Sequence, residues 1–552
     1  MKKRLIFLGV CFTLLMSALS VRLVYIQVVG HEELAEAAAR QQRVRIEGAD
    51  SRGIIYDRNG QPLTGVNREY VYIINKSKAT DKALAMIEDM GGRRLSNYND
   101  RYYVYTVSSY DNDATKNLQA ECGAYVMEAE RRYENEQTAV HLIGYVNQKD
   151  AVGVSGIELM FDEQLSQRNK NLYALADNKG NLLAGSGLYK VAADSGNDIG
   201  ITTTLDGQLQ KQVEEIIEKS PYNGGVVVLE RKSGEILAAA STPVFNPNVV
   251  KDYIDSNDNE LMNKVTQGEY PPGSIFKIVV ATAALEYGVN DEQGNRITLS
   301  SKFTCAGAET LYGISIGCST GGESGHGEIT LKDAFAKSCN CAFIQLGQLV
   351  GGENILQMSE NMGLGTSPSA DIPNAKSGNL TALEDTEWAG IGNLSIGQGE
   401  LLSTPLQIAR LTNIIANGGI DTGVYLIRQT SESIETIGWQ EKYPQWEIEQ
   451  EKRIISQETV SKLTEMMVAV MEYGTGNNMG ADIATAGKTG SAEVEYAKGK
   501  VVHGWFTGFF PADDPRYTIS VFMEDGRSGK TSAVPVFEEI CKSIMETEKF
   551  DM

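Results

Sequence analysis

An α+β fold is predicted: a mostly antiparallel sheet with helices packed on it and a largely helical insert, behind an N-terminal membrane span and an α+β pedestal. Three observations predict it. An apolar run opens the chain, β-branched strand patterns occur both early and late in its second half, and helical periodicity fills the interval between them. The 552 residues suffice for two to four domains with large cores. A formal net charge of −22 leaves no basic patch for nucleic acid.

Lys2, Lys3 and Arg4 precede an apolar run from Leu5 to Val21, which Leu23 to Val29 continues past Arg22. That length fits one membrane span, with Arg22 snorkelling to the interface. The alternative is a cleaved signal peptide, but no clear small-x-small cleavage site follows the run. The expected layout is a cytoplasmic tail at 1–4, an anchor at 5–28, a pedestal or dimerisation-type domain at 29–200 and a catalytic domain at 201–552. The basic residues place the N-terminus in the cytoplasm and the rest outside. Of seven cysteines, Cys11 lies in the span; the other six fall on the exported side, too sparse for a disulfide-built scaffold.

Within the pedestal, Glu32 to Arg43 reads as a charged helix. Ser51 to Gly60 reads as two short strands meeting at an Asn-Gly turn, and Asp111 to Thr115 as a polar, turn-rich patch. From Thr203 onward the pattern is clearer. Leu205 to Lys219 is helical, and Gly225 to Glu230 is a buried-type strand turning through Arg231 to Gly234 into Glu235 to Ala240. Helices are expected at Ser274 to Tyr287, Leu331 to Leu349 and Ser461 to Tyr473, with late strands at His503 to Phe510 and Arg516 to Met523.

Ser274-Ile-Phe-Lys277, behind Tyr270-Pro-Pro-Gly273, carries the chemistry. A serine hydroxyl needs an adjacent base, and a lysine three residues on shares its helical face. A helix N-terminus there would favour a developing oxyanion and, with burial, push Lys277 toward its neutral form. Chance should supply roughly two Ser-x-x-Lys matches in such a chain, yet this is the only one. Ser338-Cys-Asn340 follows inside a helical pattern, where its ordinary reading is a polar helix patch. Lys488-Thr489-Gly490-Ser491 comes last; its ordinary reading is a plain turn, and its functional one a strand edge kept bare for substrate by Gly490.

Together these three motifs resemble the active-site signature of penicillin-binding proteins and serine β-lactamases. Further segments narrow the resemblance to class B penicillin-binding proteins, the monofunctional, membrane-anchored peptidoglycan D,D-transpeptidases. They include Arg52-Gly53, Asp57 to Gly60, His141 to Tyr145, Gly156-Ile157-Glu158, Thr204 to Asp206, Ser395 to Gly399, Thr404 to Gln407 and His503 to Gly508.

The resemblance implies a penicillin-binding, serine β-lactamase-like transpeptidase domain and acyl transfer through a covalent intermediate. Ser274 would be the nucleophile and Lys277 its base. Ser338 and Lys488 would relay a proton to the leaving D-alanine, with Asn340 holding the acyl amide. Thr489 would bind the substrate carboxylate, beside Gly490, and the N–H groups of Ser274 and Ser491 would form the oxyanion hole. It also implies acylation by β-lactams, no cofactor for catalysis, and a SEDS-type glycosyltransferase as membrane partner. A β-lactamase or β-lactam sensor of the same fold, and a catalytically silent cell-wall scaffold, are the alternatives. With the sequence ending at Met552 soon after these motifs, no appended repeat domain is expected and an elongation-type role is favoured, with division and spore cortex synthesis left open.

Cys305, Cys318 and His326 precede the second motif closely, with Cys339 and Cys341 inside and after it. A structural zinc on Cys305, Cys318 and His326, with Cys341 or a carboxylate as fourth ligand, is one expectation. A Cys305–Cys318 disulfide, with Cys339 filling a helix core, is the other.

Overall fold

A computed structural model describes residues 2–29, 43–45, 52–94, 101–147, 152–166, 171–175, 188–191, 200–318, 324–369, 371–372, 374–430, 451–477, 484–496 and 499–548. The first helix, Lys2–Val24, continues as a π-turn to Val29; its apolar side chains are exposed all round, and Lys2–Gln27 is long and apolar enough to cross a membrane.

The pedestal holds a four-stranded antiparallel sheet ordered Arg93–Arg94, Tyr102–Val107, Asn67–Asn75, Tyr125–Arg131. Helices Asp81–Asp89 and Asn112–Cys122 supply Ile87 and Leu118 to a shared core with Tyr72 and Tyr105 of the sheet. The polar Asp111 patch is therefore a helix start: the Asp111 carboxylate accepts the N–H groups of Asp113 and Ala114, each at 2.9 Å. Ile54–Tyr56 forms one strand of the expected hairpin; beyond the turn no second strand forms, but Pro62 bridges to Tyr56 and the Leu63 N–H donates to the Ile55 carbonyl at 2.7 Å. Asp57 satisfies the turn itself by accepting from Asn59 and Gln61. The strand's main partner is instead Gly200–Thr203, in parallel. Of the helix expected from Glu32, residues 32–42 lie outside the described residues, and Arg43 begins a strand, Arg43–Arg45, paired with Asn171–Leu175.

Arg52 and Glu158, 106 positions apart in sequence, meet in a buried network. Arg52 Nε donates to Glu158 at 2.6 Å, Arg132 Nε at 2.7 Å and the Tyr133 hydroxyl at 2.8 Å, with Glu158 wholly buried. Three donors on one carboxylate compensate its desolvation. A second core joins this region to the rest of the chain, with Ile55, Leu142 and Ile157 packing among Val227, Leu229 and Leu406.

The second half is built on a five-stranded antiparallel sheet ordered Ile236–Ser241, Gly224–Glu230, Tyr517–Met523, Gly499–Phe510, Ala486–Tyr496. Early and late strands thus pair across the insert, and the strand carrying Lys488 lies at an edge. Helices Gly207–Glu218 and Gly529–Glu548 pack against this sheet, and the former starts where Asp206 caps Gln208 and Leu209. The insert is mostly helical and packs on the sheet through a core that includes Phe276, Phe335, Phe343, Met466 and Phe506.

Two expected helices are divided, both at the site. Gly273–Phe276 is a 3₁₀ turn feeding the α-helix Lys277–Glu286. The run from Leu331 splits into Leu331–Ala336 and Asn340–Val350, because Ser338 adopts a left-handed φ of 55°.

Candidate active site

The Pro-Pro-Gly lead-in is pinned before Ser274. Trp505 Nε1 donates to the Pro271 carbonyl at 3.0 Å, and the Gly273 N–H donates to the Gly397 carbonyl at 2.9 Å. Gly273 has φ 54°, and a Cβ there would stand 2.5 Å from the Ser491 carbonyl oxygen. Glycine therefore supplies both the turn and the close approach. In a 3₁₀ turn residues i and i+3 eclipse, which sets Lys277 above Ser274 more directly than an α-helical start would.

Lys277 is fully buried. Its ammonium donates to the Ser338 carbonyl at 2.8 Å, to Ser338 Oγ at 3.2 Å and to Asn340 Oδ1 at 2.7 Å. From the edge strand Lys488, also fully buried, donates to the same Ser338 hydroxyl at 3.1 Å and to the Thr489 carbonyl at 2.9 Å. One hydroxyl thus lies between two amines. Burial lowers Lys277 from 10.5 to about 8, against a smaller opposing contribution from the neighbouring cysteines. Lys488 is pushed well below its ordinary range by burial first and by Lys277 second. The helix break at Ser338 makes this possible: a continuous helix would carry Ser338 and Asn340 to different faces.

Ser274, Ser338, Asn340, Thr489, Gly490 and Ser491 line one cleft of about 1090 Å³. All three motifs therefore converge, with Lys277 and Lys488 behind the wall. Gly490 also has a packing reason. A Cβ there would meet Ile275 Cγ1 at 2.8 Å and the Pro272 carbonyl at 3.1 Å, so the glycine admits the Ser274 turn against the strand. Asn340 Nδ2 donates to the Gly317 carbonyl at 2.9 Å, which fixes its amide while Oδ1 takes Lys277.

Thr475 escapes a reading of the sequence. Its hydroxyl hydrogen-bonds the Thr489 hydroxyl, and its N–H donates to the Ala336 carbonyl at 3.0 Å, tying the Lys488 strand to the break before Ser338. The flanking Gly474 and Gly476 mark a tight turn, but nothing in the spacing links it to Thr489. Arg527, Ser528 and Lys530, also missed, line the cleft from the start of the C-terminal helix.

Beside this cleft, the ligand atoms of Cys305, Cys318, His326 and Cys339 lie within 4.8 Å of one another. Cys318 Sγ is 3.7 Å from His326 Nδ1 and 3.8 Å from Cys339 Sγ. The fourth member is Cys339, neither Cys341 nor a carboxylate: the break at Ser338 turns Cys339 out of the helical run, to the N-cap of Asn340–Val350. Cys305 and Cys318 are free thiols, so the disulfide expectation does not hold here. A tetrahedron with Zn–S bonds of about 2.3 Å has S–S edges of about 3.8 Å, and the Cys318–Cys339 separation matches that spacing.

Comparison with known proteins gives two family matches: a penicillin binding protein transpeptidase domain over residues 224–545 and a penicillin-binding protein dimerisation domain over residues 49–201. Over its length the chain is similar to the peptidoglycan D,D-transpeptidase MrdA of Acinetobacter baumannii, 28% identical over 94% of this chain and 84% of that one. Its fold is similar to that of penicillin-binding protein 2 of Helicobacter pylori, solved in complex with MreC, at a TM-score of 0.67 and 21% identity over 92% of this chain and 99% of that one. It is also similar to that of penicillin-binding protein 3 of Mycobacterium tuberculosis, solved with aztreonam, at a TM-score of 0.61 and 23% identity over 91% and 97%.

Proposed function

The chain belongs to the penicillin-binding protein transpeptidase family, and on that premise we propose that it cross-links peptidoglycan stem peptides through an acyl-enzyme on Ser274. The observation that carries this is the Ser338 hydroxyl held between the buried amines of Lys277 and Lys488, in the cleft that Ser274 lines.

Lys277, in its neutral form, takes the Ser274 proton as the hydroxyl attacks the carbonyl between the two terminal D-alanines. The tetrahedral oxyanion forms between the N–H groups of Ser274 and Ser491. Collapse expels D-alanine, protonated through Ser338 from Lys277 or Lys488. Thr489 binds the terminal carboxylate of the donor before it leaves, and Asn340 holds the acyl amide. An amine of a second stem peptide then takes the acyl group and frees Ser274. A β-lactam enters the same cleft, opens on Ser274 and stays bound, so the protein is inhibited by it. Fluorescent penicillin should label the wild type and not Ser274→Ala. Labelling that survives this substitution would refute the assignment, and absence of label on the wild type would favour a silent scaffold.

The first helix serves as a single-pass membrane anchor, and Lys2, Lys3 and Arg4 support a cytoplasmic N-terminus with the catalytic domain outside. With no glycan-polymerising motif of its own, the protein acts beside a membrane glycosyltransferase of the SEDS type, contacted through the span and pedestal. Co-purification from membranes tests that pairing; recovery unaffected by exchanging the span for an unrelated one would count against it.

Catalysis needs no cofactor, but the Cys305, Cys318, His326 and Cys339 set fits a structural zinc. Bound there, zinc would supply no chemistry to the reaction; its ligands would clamp Cys339 and so hold the Ser338 break in place. Metal analysis should find about one zinc per chain, lost in Cys318→Ser. A zinc-free wild type would overturn the assignment.

A further inference from the structure

Two large aromatic side chains lie on the surface beside the cleft. Tyr312, at the turn of the hairpin Ala308–Leu311 and Ile314–Gly317, is 70% exposed, and Trp388, before the helix Gly390–Ser395, is 68% exposed. Their rings meet edge to face at 5.0 Å. Both backbones are left-handed, with φ 48° at Tyr312 and 56° at Trp388, a conformation unfavourable for any residue with a side chain. Ile314 and Leu383 nearby in sequence are also exposed. Paired, strained and solvated aromatics of this kind mark a binding surface more than a packing remnant.

The surface is continuous with the cleft. The hairpin seats on the helix at Gly392, where an added Cβ would meet Ile316 Cδ1 at 2.8 Å and Leu311 Cδ1 at 3.1 Å. Ile316 and Gly317 from the hairpin, and Asn393 from the helix, line the cleft. From Ile314 to Ile316 the strand rises about 7 Å, with Tyr312 in the turn just beyond its start. A donor peptide with its carbonyl at Ser274 extends about 3.3–3.6 Å per residue along the cleft, whose lining includes Ile316 and Gly317 of this hairpin. What such a peptide hangs from is a sugar. Glu384, Asp385 and Glu387, all exposed, precede Trp388. Carboxylates accept sugar hydroxyls readily, whereas an anionic membrane surface would be repelled. The electron-rich ring faces suit the C–H face of a pyranose.

We propose that Tyr312 and Trp388 form a glycan platform that stacks on the sugar rings of the peptidoglycan strand whose stem peptide occupies the cleft. The proposal rests on the transpeptidase reading above, and the experiment separates the two. Full-length protein in detergent is titrated calorimetrically with glycan strands stripped of their peptides, and penicillin acylation is measured in parallel. Tyr312→Ala with Trp388→Ala should weaken glycan binding at least tenfold and leave penicillin acylation within twofold. Trp388→Phe should retain binding. Trp388→Gly, which relieves the left-handed backbone, should lose binding with no fall in Tm, so misfolding cannot mimic the result. Glycan binding unchanged in the double variant overturns the platform. So does a wild type that binds no glycan strand, and a double variant whose only change is in self-association would identify a protein-docking face instead. Failure of penicillin to acylate the wild type would refute the transpeptidase reading and not the platform.

Discussion

The acylation rate should report the ionisation of Lys277. Burial lowers this amine from 10.5 to about 8, because desolvation outweighs the opposing contribution of the neighbouring cysteines Cys339, Cys318 and Cys341. A shift of that size is worth about 3 kcal/mol, and at pH 7 it raises the neutral, basic fraction by roughly two orders of magnitude. The perturbation is pH itself, with Lys277→Arg as the comparison, since a guanidinium stays charged throughout. Second-order rate constants for fluorescent penicillin, taken between pH 6 and 9.5, should rise close to tenfold per unit at first and level off near pH 8. Lys277→Arg should be flat and lower by at least the same factor, roughly two orders of magnitude. Because Lys488 shares the Ser338 hydroxyl, the observed midpoint belongs to the pair. The folded protein binds this proton more weakly than the unfolded chain does. Its contribution to stability is therefore unfavourable below about pH 8 and is relieved as pH rises toward 10.5. A wild-type profile that is flat, or that still climbs about tenfold per unit at pH 9.5, would refute the assignment of Lys277 as the base.

Three further outcomes follow from the geometry. Ser338→Ala removes the acceptor shared by Lys277 and Lys488, and loss of such a charge-assisted bond should slow penicillin acylation about 10–100-fold; a change under twofold would show that the hydroxyl is a bystander. Gly273→Ala places a Cβ 2.5 Å from the Ser491 carbonyl in a left-handed backbone, at about 1–2 kcal/mol for the conformation alone; acylation should fall more than stability, read by rate and by denaturant midpoint on one preparation. Glu158→Gln leaves Arg132 without its buried counter-charge and Arg52 with Asp162 alone, and should cost about 3 kcal/mol in chemical denaturation, with acylation by the remaining folded protein little changed. A loss below ~1 kcal/mol there would mean that solvent reaches the network.

Much of the site is legible in the sequence because its parts are local. Ser274 and Lys277 share one turn, and the strand Gly224–Glu230 with its hairpin partner follows from a β-branched run and a turn. The divided helix at Ser338 is not legible. The residues from Leu331 to Leu349 keep helical periodicity through the break, and what holds Ser338 in its left-handed conformation is tertiary: Lys277, Lys488 and the turn at Thr475 all converge on it. The same break decides the cysteine set, bringing in Cys339 where the sequence offers Cys341 or a carboxylate. Asp111 could have been read as a helix cap, since a carboxylate before an amphipathic run is a local signal.

By itself the sequence determined the apolar first helix, the three motifs and their order, and the antiparallel strands, since each depends on neighbours a few residues away. Only the tertiary structure decided that Ser338 serves two lysines, that Gly490 makes room for the Ser274 turn, and that Tyr312 meets Trp388 beside the cleft. Those facts depend on distances between segments far apart in the chain, which no local pattern encodes. The shared hydroxyl arises when burial removes water from two amines and leaves Ser338 between them.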